Sequence, residues 1–369
     1  MEFLNTILKK RETEGLKRNI KPSVTGIDFC SNDYLGLARS SKLHQDILDA
    51  LHQSDFKNGA TGSRLLSGNN EAYEELEQHI ASFHDAEAAL IYPSGYQANI
   101  GLLQCIAGKG DTLILDELAH ASLIDGARLS HAKRFKFQHN NLDDLQKKLA
   151  QASGKIFVVI EALYSMNGDV ADVESIVQIC TKYNAHVIVD EAHSAAVYGT
   201  KGQGLTFELG LQHKVFARII TYGKGFGSHG AAIIGSRTLI DYLINFSRSF
   251  IYSTGLSPVH LESIKTAYQH VKESTIQRER LFEVITYFRS KILENASWLY
   301  SSSAIQSLVI PGNSVVKAVA LQLNKSGISV FPILSPTVAK GSERIRFCLH
   351  SYNTKEEIDH LFLNLERIL

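Results

Sequence analysis

The sequence predicts an α/β protein: a large, mostly parallel sheet covered by helices on both faces, then a smaller α+β unit. Three observations carry this. Short, unbroken apolar runs recur between helical patterns, at Thr112–Leu115, Ile156–Ile160, His186–Val189 and Arg218–Thr221. Strands buried on both faces read this way, and strands alternating with helices pair in parallel. The texture changes after Pro258, where a charge-rich helical stretch precedes shorter strand patterns. Glu161, Asp190 and Thr221 fall at or just after strand ends, where sheets of this kind bind their ligands.

Taken in order, residues 2–19 carry Phe3, Leu4, Ile7, Leu8 and Leu16 among charges, the pattern of an amphipathic helix. A short strand from Asp28 turns into a loop at Gly36. Gly59 to Arg64 is a glycine-rich loop, followed by a helix over Tyr73–His84 with Leu76, Ile80 and Phe83 on one face. Ala89–Tyr92 reads as a strand. Pro93-Ser94-Gly95-Tyr96 then opens a helix through Gln97, Ala98 and Ile100. Val173, Ile176, Val177 and Cys180 mark a helix before the strand His186–Val189. Beyond Pro258, a long helical stretch spans about 260–296, with strands at Ile305–Val309, Ser329–Pro332 and Ile345–Leu349 and a last helix over Lys355–Ile368. The chain thus divides into an N-terminal segment of helix and strand (1–45), a large α/β domain (46–257) and a smaller α+β domain (258–369). No internal repeat or low-complexity tract is present.

A chain of 369 residues supports a sizeable core. Lys+Arg and Asp+Glu both number 38, a balance that argues against a nucleic-acid or membrane-surface protein. Cys30, Cys105, Cys180 and Cys348 sit in apolar stretches with no C-x-x-C pair, as structural thiols of a reducing compartment do. The N-terminus lacks the apolar core of a secretory signal, and no apolar run is long enough for a membrane helix. A cytoplasmic protein is expected, and no metal is implied.

The chemistry centres on Ile219–Gly230, where a strand ends at Thr221 and opens into glycines at 223, 225, 227 and 230 around Lys224. A lysine held short of water loses proton affinity from its reference pKa of about 10.4. Its neutral amine can hold an aldehyde as a Schiff base. Gly225–Gly230 formally matches a dinucleotide fingerprint, but a strand-like Ala231–Gly235 follows where a helix is required. Arg218 occupies the position where a phosphate-cradling loop would need a glycine. Asp190-Glu191-Ala192-His193 spells a helicase box, yet no such loop accompanies it. A carboxylate at a buried strand end suits a cationic partner, and a pyridinium nitrogen is one. Ser94-Gly95-Tyr96 lies at a helix N-terminus, which either caps that helix or binds phosphate. His120, after a strand, could lie flat against an aromatic ring.

Together these stretches resemble the fold-type I pyridoxal-phosphate enzymes and, more narrowly, the alpha-oxoamine synthase family. The matching segments are SNDYLGL, GATGSRLLSGN, SGYQAN, AHASL, SMNGD, DEAHS, TYGKGFGSHGAA, IYSTGLSP and SPTVAKGSERIR, in this order from about Ser31 to Arg346. The resemblance implies an aspartate-aminotransferase-like fold whose large domain binds pyridoxal 5'-phosphate. Lys224 would be the Schiff-base lysine, Asp190 the partner of the pyridinium nitrogen and His120 the residue stacked on the ring. Ser165 and His193 would lie on the phenolic-oxygen side, and Gly95, Tyr96 and Thr221 would hold the phosphate. Thr254 would reach the phosphate of a neighbouring subunit, implying a homodimer with shared sites. Asn32 and Arg346 would bind the amino-acid carboxylate, while Thr337 and Arg18 would line the acyl-donor site. The implied reaction condenses L-alanine with pimeloyl-CoA, or its carrier-protein thioester, with loss of carbon dioxide, a step of biotin synthesis. The alternative is a relative that uses glycine or serine with another acyl-CoA. Four positions depart from the family pattern: Tyr73 where histidine is common, Asn167 where aspartate is usual, and the pair Leu334-Ser335 where Arg-Pro often precedes PTV.

Overall fold

The computed structural model describes residues 1–20, 25–53, 57–293 and 296–369. In chain order it begins with α1 (Glu2–Thr13), β1 (Ile27–Asp28), α2 (Ser41–His52), α3 (Glu71–Phe83), β2 (Ala88–Tyr92), α4 (Gly95–Ile106), β3 (Thr112–Asp116) and α5 (Ala121–Leu129). Next come β4 (Lys133–Phe137), α6 (Leu142–Ala150), β5 (Ile156–Glu161), α7 (Val173–Lys182), β6 (His186–Asp190), α8 (Leu205–Glu208), β7 (Ala217–Thr221) and β8 (Ala231–Gly235). The remainder is α9 (Arg237–Phe246), α10 (Arg248–Ile251), α11 (Pro258–Glu273), α12 (Thr275–Ser290), β9 (Ile305–Val309), α13 (Asn313–Lys325), β10 (Ile328–Ser329), β11 (Pro332–Ile333), β12 (Arg344–Cys348) and α14 (Lys355–Ile368).

These elements form two compact units, one of residues 35–165 and 170–278, the other of 1–34, 166–169 and 279–369. The larger unit holds a seven-stranded sheet in the order β2-β8-β7-β6-β5-β3-β4. Neighbours from β7 to β4 run parallel, and β8 lies antiparallel between β7 and β2. Strands β3, β5 and β7 are buried along their whole length, as their apolar runs require. The edge strand β4 has no such run; its KRFKF sequence is exposed at Lys133, Arg134 and Lys136. Charged edges of this kind block further strand pairing, and they also hide the strand from an apolar-run reading. The smaller unit pairs β1 with β10 in parallel and holds an antiparallel sheet, β11-β12-β9.

The boundary after the larger unit comes at 278 rather than at Pro258. The reason is α11, whose Leu261, Ile264, Ala267 and Val271 are buried and which packs on α2 and α3. The first 34 residues group with the C-terminal strands because β1 pairs with β10. The expected helix over 260–296 breaks at Ser274 into α11 and α12; its end at 294–295 lies outside the described residues. The amphipathic N-terminal helix stops at Thr13 and has no buried residue. The expected strand at Ser329–Pro332 divides into β10 and β11.

Candidate active site

At the carboxyl ends of β5, β6 and β7 the larger unit encloses a cavity of about 220 Å³. Adjacent parallel strands place Glu161 of β5 beside Asp190 of β6. Thr221 closes β7, and the next turn carries Lys224 to the same cavity. The turn is fixed by its backbone: Ser228 N–H donates to Tyr222 O at 2.9 Å and Gly227 N–H to Lys224 O at 2.8 Å. Gly227 has φ +63°, and a Cβ there would meet Ala38 N at 2.4 Å, so only glycine fits. Tyr222 is fully buried, and its hydroxyl accepts from Tyr268 at 3.3 Å; the Tyr268 hydroxyl lies 2.9 Å from His84 Nε2. Burial pushes His84 down to about 3, keeping it neutral.

Ser94 caps α4, its hydroxyl accepting from Gln97 N–H at 3.2 Å. The amides of Gly95 and Tyr96 are then helix-opening donors without an intrahelical acceptor. Ser94 is thus a cap, and the same helix N-terminus lines the cavity. A Cβ on Gly95 would strike the Thr221 methyl, Cγ2, at 2.6 Å, so the helix end and the Thr221 side chain share a tight corner, with the Thr221 hydroxyl 3.4 Å from Ala192 O.

Asp190 is 4% exposed. One carboxylate oxygen accepts from Ala192 N–H at 2.9 Å and the other from Asn99 Nδ2 at 2.8 Å. Asn99 Oδ1 is buried and has no hydrogen-bond partner among the described residues. His120 caps α5, and its backbone N–H donates to Glu161 at 2.7 Å. Burial lowers His120, partly offset by Asp190, while Lys224 lowers it further. Burial pushes the Glu161 carboxyl up to about 8; Asp190 raises it further, and Lys224 with the His120 and Ser165 amides opposes. Glu161, Asn99 and Ser122 line the cavity without having been assigned roles from sequence. Asn99 lies within SGYQAN, but Gln97 and Gln104 on the same helix give no sign in the sequence that this polar residue is the one facing inward.

Lys224, Asp190, His120, His193, Gly95, Tyr96 and Thr221 thus converge on one cavity. Ser165 and Thr254 do not line it. Thr254 is exposed and pairs with Ser63 in a short antiparallel bridge. Tyr73 supports that neighbourhood: it is 1% exposed, donates to Leu256 O at 3.1 Å and lies beneath the Arg64 guanidinium at 3.9 Å.

In the smaller unit, Arg346 Nη2 donates to Asn32 Oδ1 at 2.8 Å, and the Tyr34 hydroxyl donates to the same oxygen at 3.3 Å. Asn32 is thereby oriented, with its oxygen toward the guanidinium and its amide nitrogen left as donor. Arg18 Nη2 reaches Thr337 Oγ1 at 3.4 Å beside a cavity of about 450 Å³ that Arg11, Lys17 and Lys317 also line. Asn167 Oδ1 accepts from Arg344 Nη1 at 2.5 Å. Ser335 N–H donates to Asn313 Oδ1 at 3.0 Å.

The donor set fits pyridoxal phosphate: helix-end amides and a hydroxyl for a phosphate, a buried carboxylate for a ring nitrogen, an imidazole and a loop lysine. Among the described residues, no cluster of His, Cys, Asp or Glu could hold a metal ion. No described helix is long and apolar enough to cross a membrane.

The family model for aminotransferase class I and II matches residues 24–365. The chain is 39% identical to the 8-amino-7-oxononanoate synthase of Emericella nidulans, over 98% of this chain and 93% of that protein. It is 34% identical to the 8-amino-7-oxononanoate synthase of Lysinibacillus sphaericus, over 97% and 95%. The solved 8-amino-7-oxononanoate synthase of Francisella tularensis superposes with a TM-score of 0.79 at 28% identity, covering 93% of this chain and 97% of that one. Serine palmitoyltransferase of Sphingomonas wittichii shares the fold, with a TM-score of 0.89 at 24% identity and coverages of 98% and 96%. The motif order, the cavity and these likenesses agree: the chain belongs to the aminotransferase class I and II family and, within it, to the 8-amino-7-oxononanoate synthases.

Proposed function

We propose that this enzyme condenses L-alanine with a pimeloyl thioester, carried by coenzyme A or a carrier protein, to give 8-amino-7-oxononanoate, the free thiol and carbon dioxide. The observation that carries the reading is the convergence of Lys224, Asp190 and His120 on one cavity beside the α4 N-terminus, in a chain of this family. Pyridoxal phosphate, when bound, supplies an aldehyde for the amine and a ring that draws charge from the α-carbon.

The chain's residues do the rest. The Gly95 and Tyr96 amides and the Thr221 hydroxyl hold the phosphate at the positive end of α4. Asp190, held by Asn99 and Ala192, keeps the ring nitrogen protonated, as a nearby anion does. With the cofactor bound, His120 would be the residue against its ring, and Ser165 and His193 would serve the phenolic-oxygen side. Lys224 would hold the cofactor's aldehyde, and its free amine would be the base that takes the substrate's α-proton. Asn32 and Arg346 clamp the alanine carboxylate, for which Arg's planar fork is suited. Arg18 and Thr337 receive the acyl donor, Arg18 meeting its far carboxylate. Thr254 reaches the phosphate of a second subunit, so the working form is a homodimer with shared sites. The four cysteines form no disulfide, which accords with a reducing cytoplasm.

Borohydride reduction of the yellow protein followed by peptide mapping tests the core of this reading. The cofactor is expected on Lys224, and a label on another lysine refutes it. L-Alanine is expected to change the cofactor spectrum and to release carbon dioxide only with pimeloyl thioester present. Faster turnover of glycine or serine would remove the substrate assignment. Sharing of sites is tested by mixing Lys224→Ala and Thr254→Ala subunits, because one hybrid site regains both residues. Verified hybrids without activity would count against it.

A further inference from the structure

A chain of buried hydrogen bonds links Asp190 to His120. Asn99 Nδ2 lies 2.8 Å from Asp190 Oδ2 and 2.9 Å from Ser122 Oγ, and Ser122 Oγ lies 2.7 Å from His120 Nδ1. Ser122 N–H also donates to His120 Nδ1 at 3.3 Å. Asn99 is 2% exposed and Ser122 is fully buried, so water does not scramble these partners.

The direction of each bond follows from chemistry. An ionised carboxylate only accepts, so Asn99 must present its nitrogen to Asp190. The same nitrogen then donates its other hydrogen to Ser122 Oγ. The Ser122 oxygen could accept a second bond, but His120 Nδ1 already receives the Ser122 backbone N–H and is therefore an acceptor, so the single Ser122 hydroxyl hydrogen goes to it. The backbone amide of Ser122 can only donate, and it points at the same ring nitrogen. His120 Nδ1 is therefore an acceptor twice over, and the proton of the neutral ring sits on Nε2. Asn99 Oδ1 is left buried without a partner among the described residues by this arrangement, although such orphans are uncommon in native proteins.

We propose that Asn99 and Ser122 are positioning residues that transmit hydrogen-bond direction from the Asp190 carboxylate and thereby hold His120 as its Nε2–H tautomer. The ring's proton-donating nitrogen is thus set by the carboxylate that also serves the cofactor ring. The consequence for catalysis rests on the functional reading above; the tautomer itself does not. With Nδ1 committed, Nε2–H is the group His120 has for polarising a substrate carbonyl or delivering a proton.

The test is long-range ¹H–¹⁵N correlation of the histidine side chains in the full chain as purified. Wild type is expected to show His120 as Nε2–H, with an acceptor-type Nδ1. Ser122→Ala removes the hydroxyl donor, and Asn99→Leu removes the signal that orients it. Each is expected to raise the Nδ1–H population several-fold, while Ser122→Thr, which keeps the hydroxyl, retains Nε2–H. An Nδ1–H ring in wild type overturns the proposal, as does an unchanged Nε2–H ring in folded Ser122→Ala. If Asn99→Leu fails to fold, the two Ser122 variants decide alone. A kinetic arm expects kcat to fall in Ser122→Ala with KM for alanine little changed. If wild type does not turn over alanine, the functional reading fails and the tautomer result stands.

Discussion

The cavity of the larger unit and the arginine sites of the smaller unit solve the same problem, binding charge, in opposite ways. In the cavity the two carboxyl groups are buried and held, Asp190 by two donors and Glu161 by the His120 amide, while the half-buried Lys224 sits in a turn fixed by its own backbone. In the smaller unit, Arg346 is half-buried with a 2.8 Å bond to Asn32, while Arg18 is exposed with a 3.4 Å contact to Thr337. Held charge in a water-poor site acts strongly, and solvated charge acts weakly. The comparison predicts a graded series of mutational effects.

Asp190→Asn comes first. An amide cannot hold a protonated ring nitrogen as a carboxylate does, so turnover is expected to fall by roughly 10²–10³ with part of the cofactor retained. Steady-state rates together with the cofactor absorbance check this, and near-normal turnover would show that the buried carboxylate is not the source of the effect.

Arg346→Lys is intermediate. It exchanges a planar fork for a point charge, and a charge-assisted bond to the alanine carboxylate is lost. KM for alanine is expected to rise by about 10- to 100-fold, while KM for the acyl donor stays put. Arg18→Ala is smaller, a rise of about two- to fivefold in donor KM, because exposed charge pairs contribute little. Equal effects from the two arginines would break the comparison.

The last prediction concerns stability and pH. Glu161 is raised from its ordinary 4.5 to about 8 when folded. Between these values the folded chain binds a proton that the unfolded chain does not. Stability is therefore fully present below pH 4.5 and is lost as pH rises through 8. His84, lowered from 6.5 to about 3, acts with the opposite sign, losing stability as pH falls below 6.5. Above pH 6.5 His84 is neutral in both states, so the Glu161 slope stands alone there. The Tm of the cofactor-free protein is expected to fall between pH 6.5 and 8, and Glu161→Gln should flatten the fall. An unchanged slope in that variant would place the titrating group elsewhere.

Much of this protein is determined by sequence taken locally. The buried strands announce themselves because a strand covered on both faces has no solvent side on which to place polar residues. The Lys224 turn is legible from its glycines, and Gly227 is there because a Cβ would strike the backbone at Ala38. The ordered motifs were enough to imply the family, the cofactor and the residues now found around one cavity. Other features depended on the tertiary structure. Strand β4 is hidden by its charges, since an edge strand needs only one neighbour. The limit of the larger unit at 278 was set by what α11 packs against, which no change of composition at Pro258 could reveal. Asn99, Ser122 and Glu161 gained their meaning only when strand order and helix packing brought 99, 122, 161 and 190 together. Hydrogen-bond direction and burial are properties of neighbours distant in the chain, and those neighbours exist only once it has folded.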